Sequence, residues 1–255
     1  MTARVSHAGR LRVRLGVSAI ALAAAAVLTD PAASAASAVS TRSVLIEAYG
    51  DSTTLGISCA NGHCAPLPDN AVTALQDRLR DAHSADAASI SVTNLAVGGT
   101  MASQLLDGTD RARGVPWRER MSASSAQIVM INYGINEMMH KQTPDQFYAA
   151  ETALVQIALK AGKRVVLQTS NPMPDPRFNT NLAPMIAMTR RVAAEQHVPL
   201  VDQYAYISGL SGWQMMMSDG AHPKPALYRL KAAQDFAVVE PLIGAVDRGS
   251  NHAGE

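Results

Sequence analysis

Short apolar runs alternate with longer, helix-like segments along most of this chain. The runs with the length and β-branched content of strands are residues 43–49, 89–95, 126–133, 164–169 and 198–201. Strands that alternate with helices form parallel sheets whose two faces are both covered. The pattern therefore predicts one doubly wound α/β domain with a three-layer α/β/α architecture and a parallel sheet of about five strands.

Helical spacing and end signals predict the segments between these strands. Val72, Leu75 and Leu79 recur at helical spacing in the first of them, and Pro144 and Gly162 bound a long central helix. The predicted helices span residues 68–83, 100–106, 144–160, 181–197 and 224–246. We expect a loop or short helix over 114–121, a proline-containing loop over 171–180, and irregular backbone over 204–223.

The N-terminus has the pattern of a secretory signal peptide. Four arginines precede Leu15–Leu28, an uncharged run of 14 residues, and two Ala-Ser-Ala sequences end at Ala35 and Ala38. A membrane anchor is the alternative, but a span needs roughly 20 apolar residues. We therefore predict a signal peptide over 1–38, a catalytic domain over 39–248, a disordered tail over 249–255, and export to the periplasm or the medium.

Composition excludes several classes of partner. The chain has 255 residues, of which 47% are hydrophobic and 17% charged, enough for one sizeable core. Without residues 1–38 the 22 basic residues fall to 18 and the 21 acidic residues to 20, which leaves a net charge near −2. So balanced a charge does not favour nucleic acid or stable association with an anionic membrane.

The two cysteines lie in one short stretch, Cys59–Cys64. In an exported protein this spacing favours a local disulfide. A metal site made of Cys59, His63 and Cys64 is the alternative, but it lacks evident further ligands. We expect neither a metal nor a cofactor.

Candidate chemistry lies at the end of the first predicted strand and before the last helix. Gly50-Asp51-Ser52 can present a serine at the carboxyl edge of the sheet, and serine needs a base within hydrogen-bond reach. His222 follows Asp219 by three residues in a tight turn, so one turn can hold the carboxylate against the imidazole. Each motif is also an ordinary turn sequence. Asp51 itself is expected to stabilise its turn rather than to act in catalysis.

Four short blocks give the chain a resemblance to the SGNH (GDSL-type) hydrolase family of esterases and lipases. They stand in the family's order over about residues 44–246, and they comprise Gly50-Asp51-Ser52, Asn94–Gly99, Gly134-Ile135-Asn136-Glu137 and Asp219–Pro223. The resemblance implies a flavodoxin-like strand order of 2-1-3-4-5. Glu137 departs from the pattern, because the family often has Asp at this place.

The resemblance also implies a role for each matching residue. Ser52 resembles the nucleophile, His222 the general base and Asp219 the acid that orients it. The oxyanion hole would consist of the backbone N–H groups of Ser52 and Gly99 and the side-chain amide of Asn136. Gly99 is preferred to its neighbour because it lies five residues after the asparagine of its block.

Three functions fit these residues. The leading hypothesis is an exported serine esterase that hydrolyses a small-molecule or polysaccharide-linked ester through an acyl-Ser52 intermediate. Acyl transfer to a cell-envelope sugar would use the same residues. A non-catalytic binding protein of the same fold is the third, although binding alone needs no such set of residues.

Overall fold

A computed structural model describes residues 43–84, 89–110 and 114–249. Five strands form one parallel sheet in the order β4-β1-β5-β6-β7. The strands are β1 (Val44–Gly50), β4 (Ile90–Asn94), β5 (Ile128–Tyr133), β6 (Arg164–Thr169) and β7 (Leu200–Val201). Numbered within this sheet alone, the order is 2-1-3-4-5, so the predicted fold class and strand order are confirmed. A separate antiparallel hairpin joins β2 (Ile57–Ala60) to β3 (His63–Pro66).

Helices cover both faces of the sheet. The longer ones are α2 (Ala71–Ala82), α6 (Pro144–Lys160), α7 (Pro176–Glu195) and α9 (Pro225–Gly249). Shorter helices are α1 (Ser52–Leu55), α3 (Ala102–Asp107), α4 (Trp117–Ala123), α5 (Ile135–Met139), α8 (Gln203–Ser208) and a 3₁₀ helix (Trp213–Met216).

Two apolar clusters separate the sheet from its helices. Trp117, Phe147 and Leu154 pack on one face, with residues of α7. Leu75 and Tyr228, from α2 and α9, pack on the other. All six residues of β5 are buried, as expected for a central strand covered on both faces. The sheet is thus a rigid platform whose carboxyl edge carries the loops after β1, β4 and β5.

Helix α7 corrects the sequence prediction for residues 171–181. The prolines of this stretch indicated a loop, but the helix begins at Pro176 and not at Asn181. Asp175 caps it, because its carboxylate accepts a hydrogen bond of 2.9 Å from the Arg177 N–H. Proline is favourable at a first helical position, where no N–H partner is needed. Pro184 therefore lies inside the helix, eight residues after its start.

The segment before the last helix is more regular than predicted. Helix α8 and the 3₁₀ helix occupy part of residues 204–223, for which irregular backbone was expected. Trp213, Ile207 and Met217 pack there with Leu227 in a small third cluster. The side chains of Trp213 and Met217 therefore serve core packing.

Some predictions fall on residues that the structure does not describe. The predicted signal peptide over 1–38 lies outside the described residues, and so does 250–255 of the predicted tail. Helix α9 continues to Gly249, one residue into that tail. Among the described residues, no helix combines the length and the hydrophobicity that a membrane span requires.

Candidate active site

The turn after β1 presents Ser52 at the carboxyl edge of the sheet. A side chain on Gly50 would collide with its surroundings, since an added Cβ would lie 2.6 Å from the Asn132 carbonyl oxygen and 2.3 Å from Thr54 Oγ1. Asp51 then caps α1, because its carboxylate accepts hydrogen bonds of 2.8 Å from both the N–H and the hydroxyl of Thr53. Ser52 is consequently the first residue of a helix that starts directly at the strand end.

Asp51 stabilises this turn from a fully buried position. Burial raises the pKa of its carboxyl group, against the hydrogen bonds from Thr53 and the positive charge of Lys231. Lys231 is itself buried, and its ammonium group donates to Asn171 at 3.2 Å. Asp51 acts here as a helix cap, in agreement with the expectation from sequence.

A second tight turn holds His222 and Asp219 together. One oxygen of Asp219 accepts hydrogen bonds from the N–H groups of Ala221 at 2.8 Å and His222 at 2.6 Å. The other oxygen lies 2.7 Å from His222 Nδ1. Burial alone would raise the pKa of Asp219, but the bonds from His222 and Ala221 outweigh it and lower the pKa below its usual value. The carboxylate therefore stays ionised beside the imidazole.

These two turns meet at a hydrogen bond between Ser52 and His222. His222 Nε2 lies 2.9 Å from Ser52 Oγ. With a proton on Nδ1 directed at Asp219, Nε2 is free to accept the serine proton. Residues 170 positions apart thus form one continuous line of carboxylate, imidazole and hydroxyl. Such an arrangement can activate the hydroxyl as a nucleophile.

The amide of Asn136 links the loops that follow β1 and β4. Its Nδ2 group donates to the Thr100 carbonyl oxygen at 2.9 Å and lies 3.4 Å from Asp51 Oδ2. Gly99 directly precedes Thr100 and has a φ of +75°, a conformation that favours glycine. Gly98 lies against the nucleophile, since a Cβ added to it would be 3.7 Å from Ser52 Cβ. Gly99, next to Gly98, and Asn136 of helix α5, which contacts Asp51, thus both lie beside the turn that carries Ser52.

Glu137 ties the loop after β5 to the loop after β4, a role that the sequence did not reveal. Its two carboxylate oxygens accept hydrogen bonds from the Ala102 N–H at 2.7 Å and the Gly134 N–H at 2.8 Å. Burial raises the pKa of Glu137 to about 7, although these bonds act in the opposite direction. The longer side chain at this place therefore spans from α5 to the start of α3.

The hairpin β2–β3 contacts the turn that carries the base. Cys59 and Cys64 pair directly across it, with their Sγ atoms 2.01 Å apart. The Cys59 N–H donates to Ser218 Oγ at 3.0 Å, and Ser218 Oγ donates to the His222 carbonyl oxygen at 2.9 Å. Both cysteines are in the disulfide, so the alternative metal site of Cys59, His63 and Cys64 has no thiolate to bind a metal ion.

A parallel α/β sheet with serine, histidine and aspartate hydrogen-bonded at its carboxyl edge has the geometry of a serine hydrolase. The model of the GDSL-like Lipase/Acylhydrolase family matches residues 48–230. The chain belongs to this family, and it is an ester-hydrolysing enzyme of the GDSL type. No curated protein matches the chain.

Several solved structures have the same fold as this chain. TesA matches with a TM-score of 0.58 and 21% identity, over 78% of this chain and 99% of that chain. A lipase/acylhydrolase from Enterococcus faecalis matches with a TM-score of 0.59 and 19% identity, over 76% and 94% of the two chains. An acetyl-xylooligosaccharide esterase from Geobacillus matches with a TM-score of 0.61 and 16% identity, over 78% and 94%.

Proposed function

We propose that this enzyme hydrolyses carboxylic esters through an acyl-Ser52 intermediate. The observation that carries the proposal is the hydrogen-bonded line from Asp219 through His222 to Ser52, with separations of 2.7 and 2.9 Å. His222 Nε2 takes the Ser52 proton as Oγ attacks the ester carbonyl carbon, and then gives that proton to the departing alcohol. A water molecule activated by the same nitrogen cleaves the acyl-enzyme and regenerates Ser52.

The tetrahedral oxyanion would be bound by the N–H groups of Ser52 and Gly99 and by the Asn136 amide. The amide has two hydrogens, and the bond of 2.9 Å to the Thr100 carbonyl oxygen uses one of them. The second hydrogen faces the longer, weaker contact of 3.4 Å with Asp51. We assign this second hydrogen to the oxyanion, because the long contact with Asp51 competes only weakly for it, and donors held in a fixed site stabilise developing charge in the transition state.

The proposed substrate is a small-molecule or polysaccharide-linked ester. An open groove of about 480 Å³ is lined by Met138 and Met139 of helix α5, the helix that also carries Asn136, and by Phe178 and Met185 of α7. Flexible methionine side chains adapt to acyl or alcohol groups of irregular shape. One structure with the same fold is named an acetyl-xylooligosaccharide esterase, which makes acetylated sugars one class of ester to test.

Exposure of the base favours hydrolysis over acyl transfer to a sugar. The side chains of His222 and Asp219 are 19% and 34% exposed. Water therefore has access to the imidazole, whereas transfer to another hydroxyl requires that water be kept out. Product analysis with and without a sugar acceptor separates the two reactions, since only transfer yields an acylated sugar.

We further propose that the enzyme is exported, on the basis of the N-terminal arginines, the apolar run Leu15–Leu28 and the two Ala-Ser-Ala sequences. N-terminal sequencing of the protein recovered outside the cytoplasm tests this. A mature chain that starts near residue 36 or 39 is expected, and an intact Met1 in the cytoplasm would contradict it.

Hydrolysis of 4-nitrophenyl esters from acetyl to palmitoyl tests the reaction, with Ser52→Ala as the matched variant. We expect the variant to lose roughly 10³-fold or more of kcat, because no other group can replace the nucleophile. The chain-length profile then shows which acyl groups the groove accepts. Unchanged turnover by Ser52→Ala, or a Ser52 inert to a fluorophosphonate probe, would reject the mechanism.

A further inference from the structure

The hairpin β2–β3 is attached to the turn that carries His222 and to helix α9 by contacts that do not depend on its disulfide. The Cys59 N–H donates to Ser218 Oγ at 3.0 Å, and the Tyr228 hydroxyl donates to the Ile57 carbonyl oxygen at 2.6 Å. The hairpin's own backbone ladder pairs Cys59 with Cys64. These bonds hold the backbone of Cys59 in place whether or not its sulfur is bonded to Cys64.

The sulfur of Cys59 lies against the two residues that activate Ser52. Cys59 Sγ is 3.0 Å from Asp219 Oδ2 and 3.9 Å from His222 Nδ1, and these two atoms are 2.7 Å from each other. The three potential ligand atoms all lie within 4.8 Å of one another. One sulfur, one imidazole nitrogen and one carboxylate oxygen form a donor set that zinc uses in proteins.

The spacing of these atoms is close to that of a tetrahedral zinc site. Bonds of about 2.3 Å to sulfur and 2.0–2.2 Å to nitrogen and oxygen place the ligand atoms about 3.3 to 3.6 Å apart. The three observed separations of 3.0, 3.9 and 2.7 Å differ from that range by about 0.3 to 0.6 Å, which side-chain rotation can supply. A fourth position remains for water.

We infer that the disulfide masks a metal site, and that opening it with a thiol or phosphine reductant allows Cys59, Asp219 and His222 to bind zinc. With a thiol reductant, two thiols are oxidised to one disulfide and the Cys59–Cys64 bond is reduced to two thiols. With a phosphine and water, the phosphine becomes its oxide. Zinc then displaces the Cys59 proton and binds the thiolate. While the disulfide is intact, Cys59 has no thiolate to offer.

Metal binding at this place would switch off ester hydrolysis, an effect that rests on the function proposed above. Zinc on His222 Nδ1 occupies the nitrogen that otherwise directs its proton to Asp219, so the remaining ring proton moves to Nε2. Nε2 can then no longer accept the Ser52 proton. The reduced enzyme in the presence of zinc is therefore inactive, and a chelator restores it.

Two matched variants test the site independently of catalysis. Cys64→Ser leaves the Cys59 thiol beside Asp219 and His222, whereas Cys59→Ser leaves a thiol on the other strand of the hairpin. Cobalt(II) serves as the probe under anaerobic conditions, because a cobalt–thiolate bond gives a near-ultraviolet charge-transfer band. We expect Cys64→Ser to bind one cobalt ion with this band, about 100-fold or more tighter than Cys59→Ser. Zinc should displace the cobalt.

Wild-type protein gives the second measurement and guards against misfolding of the variants. The oxidised protein should show no cobalt–thiolate band, and the same protein after phosphine reduction should show it with an unchanged circular dichroism spectrum. Absence of the band in both Cys64→Ser and the reduced protein, or equal affinity of the two variants, would overturn the proposal. If the band forms but the metal-free enzyme hydrolyses no ester, the site stands and the proposed function fails.

Discussion

Replacement of Glu137 by Gln should weaken the dependence of the free energy of unfolding on pH. Burial raises the pKa of Glu137 from 4.5 to about 7 in the folded protein. Between these values the unfolded chain has lost this proton while the folded protein retains it, so unfolding releases a proton. Stability therefore falls as pH rises from 4.5 to about 7, by about 3 kcal/mol for this group at about 1.4 kcal/mol per pKa unit.

Urea unfolding of wild type and Glu137→Gln from pH 4.5 to 8 measures this share directly. Ionisation of Asp235 also lowers the stability of the folded protein, because burial raises the pKa of Asp235 to about 6. This residue is present in both proteins, so its contribution cancels. The variant's loss of stability over this range should be smaller than that of wild type by about 3 kcal/mol. Equal slopes for the two proteins would refute the reasoning, since Glu137 would then titrate alike in both states.

Measurements of activity test whether the position of Glu137 matters beyond its being a buried carboxylate. The Gln amide must direct an N–H at the N–H of either Ala102 or Gly134, and each unmade buried bond costs about 1–3 kcal/mol. The loops of the oxyanion residues then shift, and kcat falls. Glu151→Gln is the matched control, because Glu151 is equally buried with a raised pKa but bonds Thr189, between α6 and α7. It should leave kcat unchanged.

Three further substitutions test single interactions. Asp219→Asn should lower kcat on 4-nitrophenyl acetate by roughly 10³–10⁴, because an amide can hold the wrong histidine tautomer, and wild-type kcat would exclude this role. Asn136→Ala should lower kcat by about 10²–10³ with little change in KM, and a rise in KM alone would argue against oxyanion binding. Trp117→Ala should cost about 3–5 kcal/mol in urea unfolding, because it empties core space and removes the 2.9 Å bond to the Leu154 carbonyl oxygen, while a cost below 1 kcal/mol would contradict tight packing there.

Features set by local sequence were predictable. Helix α6 has the predicted bounds, because Thr143 caps its start with a bond of 3.2 Å to the Gln146 N–H, and Gly162 with a φ of +78° follows its end. Strand β6 likewise has the predicted bounds, Arg164–Thr169. Buried apolar runs and caps act within a few residues, so the sequence contains the whole signal for them.

Two contacts between distant residues that shape the site were not predicted. Glu137 bonds Ala102, 35 residues away, and Cys59 bonds Ser218, 159 residues away. No local pattern identifies such partners, because they depend on which loops meet at the sheet edge after folding. The start of α7 failed for a different reason, since prolines that end a helix in its interior are favourable at its first position.

Hydrogen bonds from buried polar side chains connect the segments around Ser52. They explain why buried carboxylates are present there although they reduce stability. Asn136 binds the Thr100 carbonyl oxygen, Glu137 binds the Ala102 N–H, and Asp51 caps the helix of Ser52. Burial raises the pKa of both Asp51 and Glu137, so each ionised group costs folding free energy. Apolar residues would avoid that cost but could not fix three loops relative to one another. An oxyanion site needs donors that do not reorganise during the reaction, and these cross-links supply that rigidity.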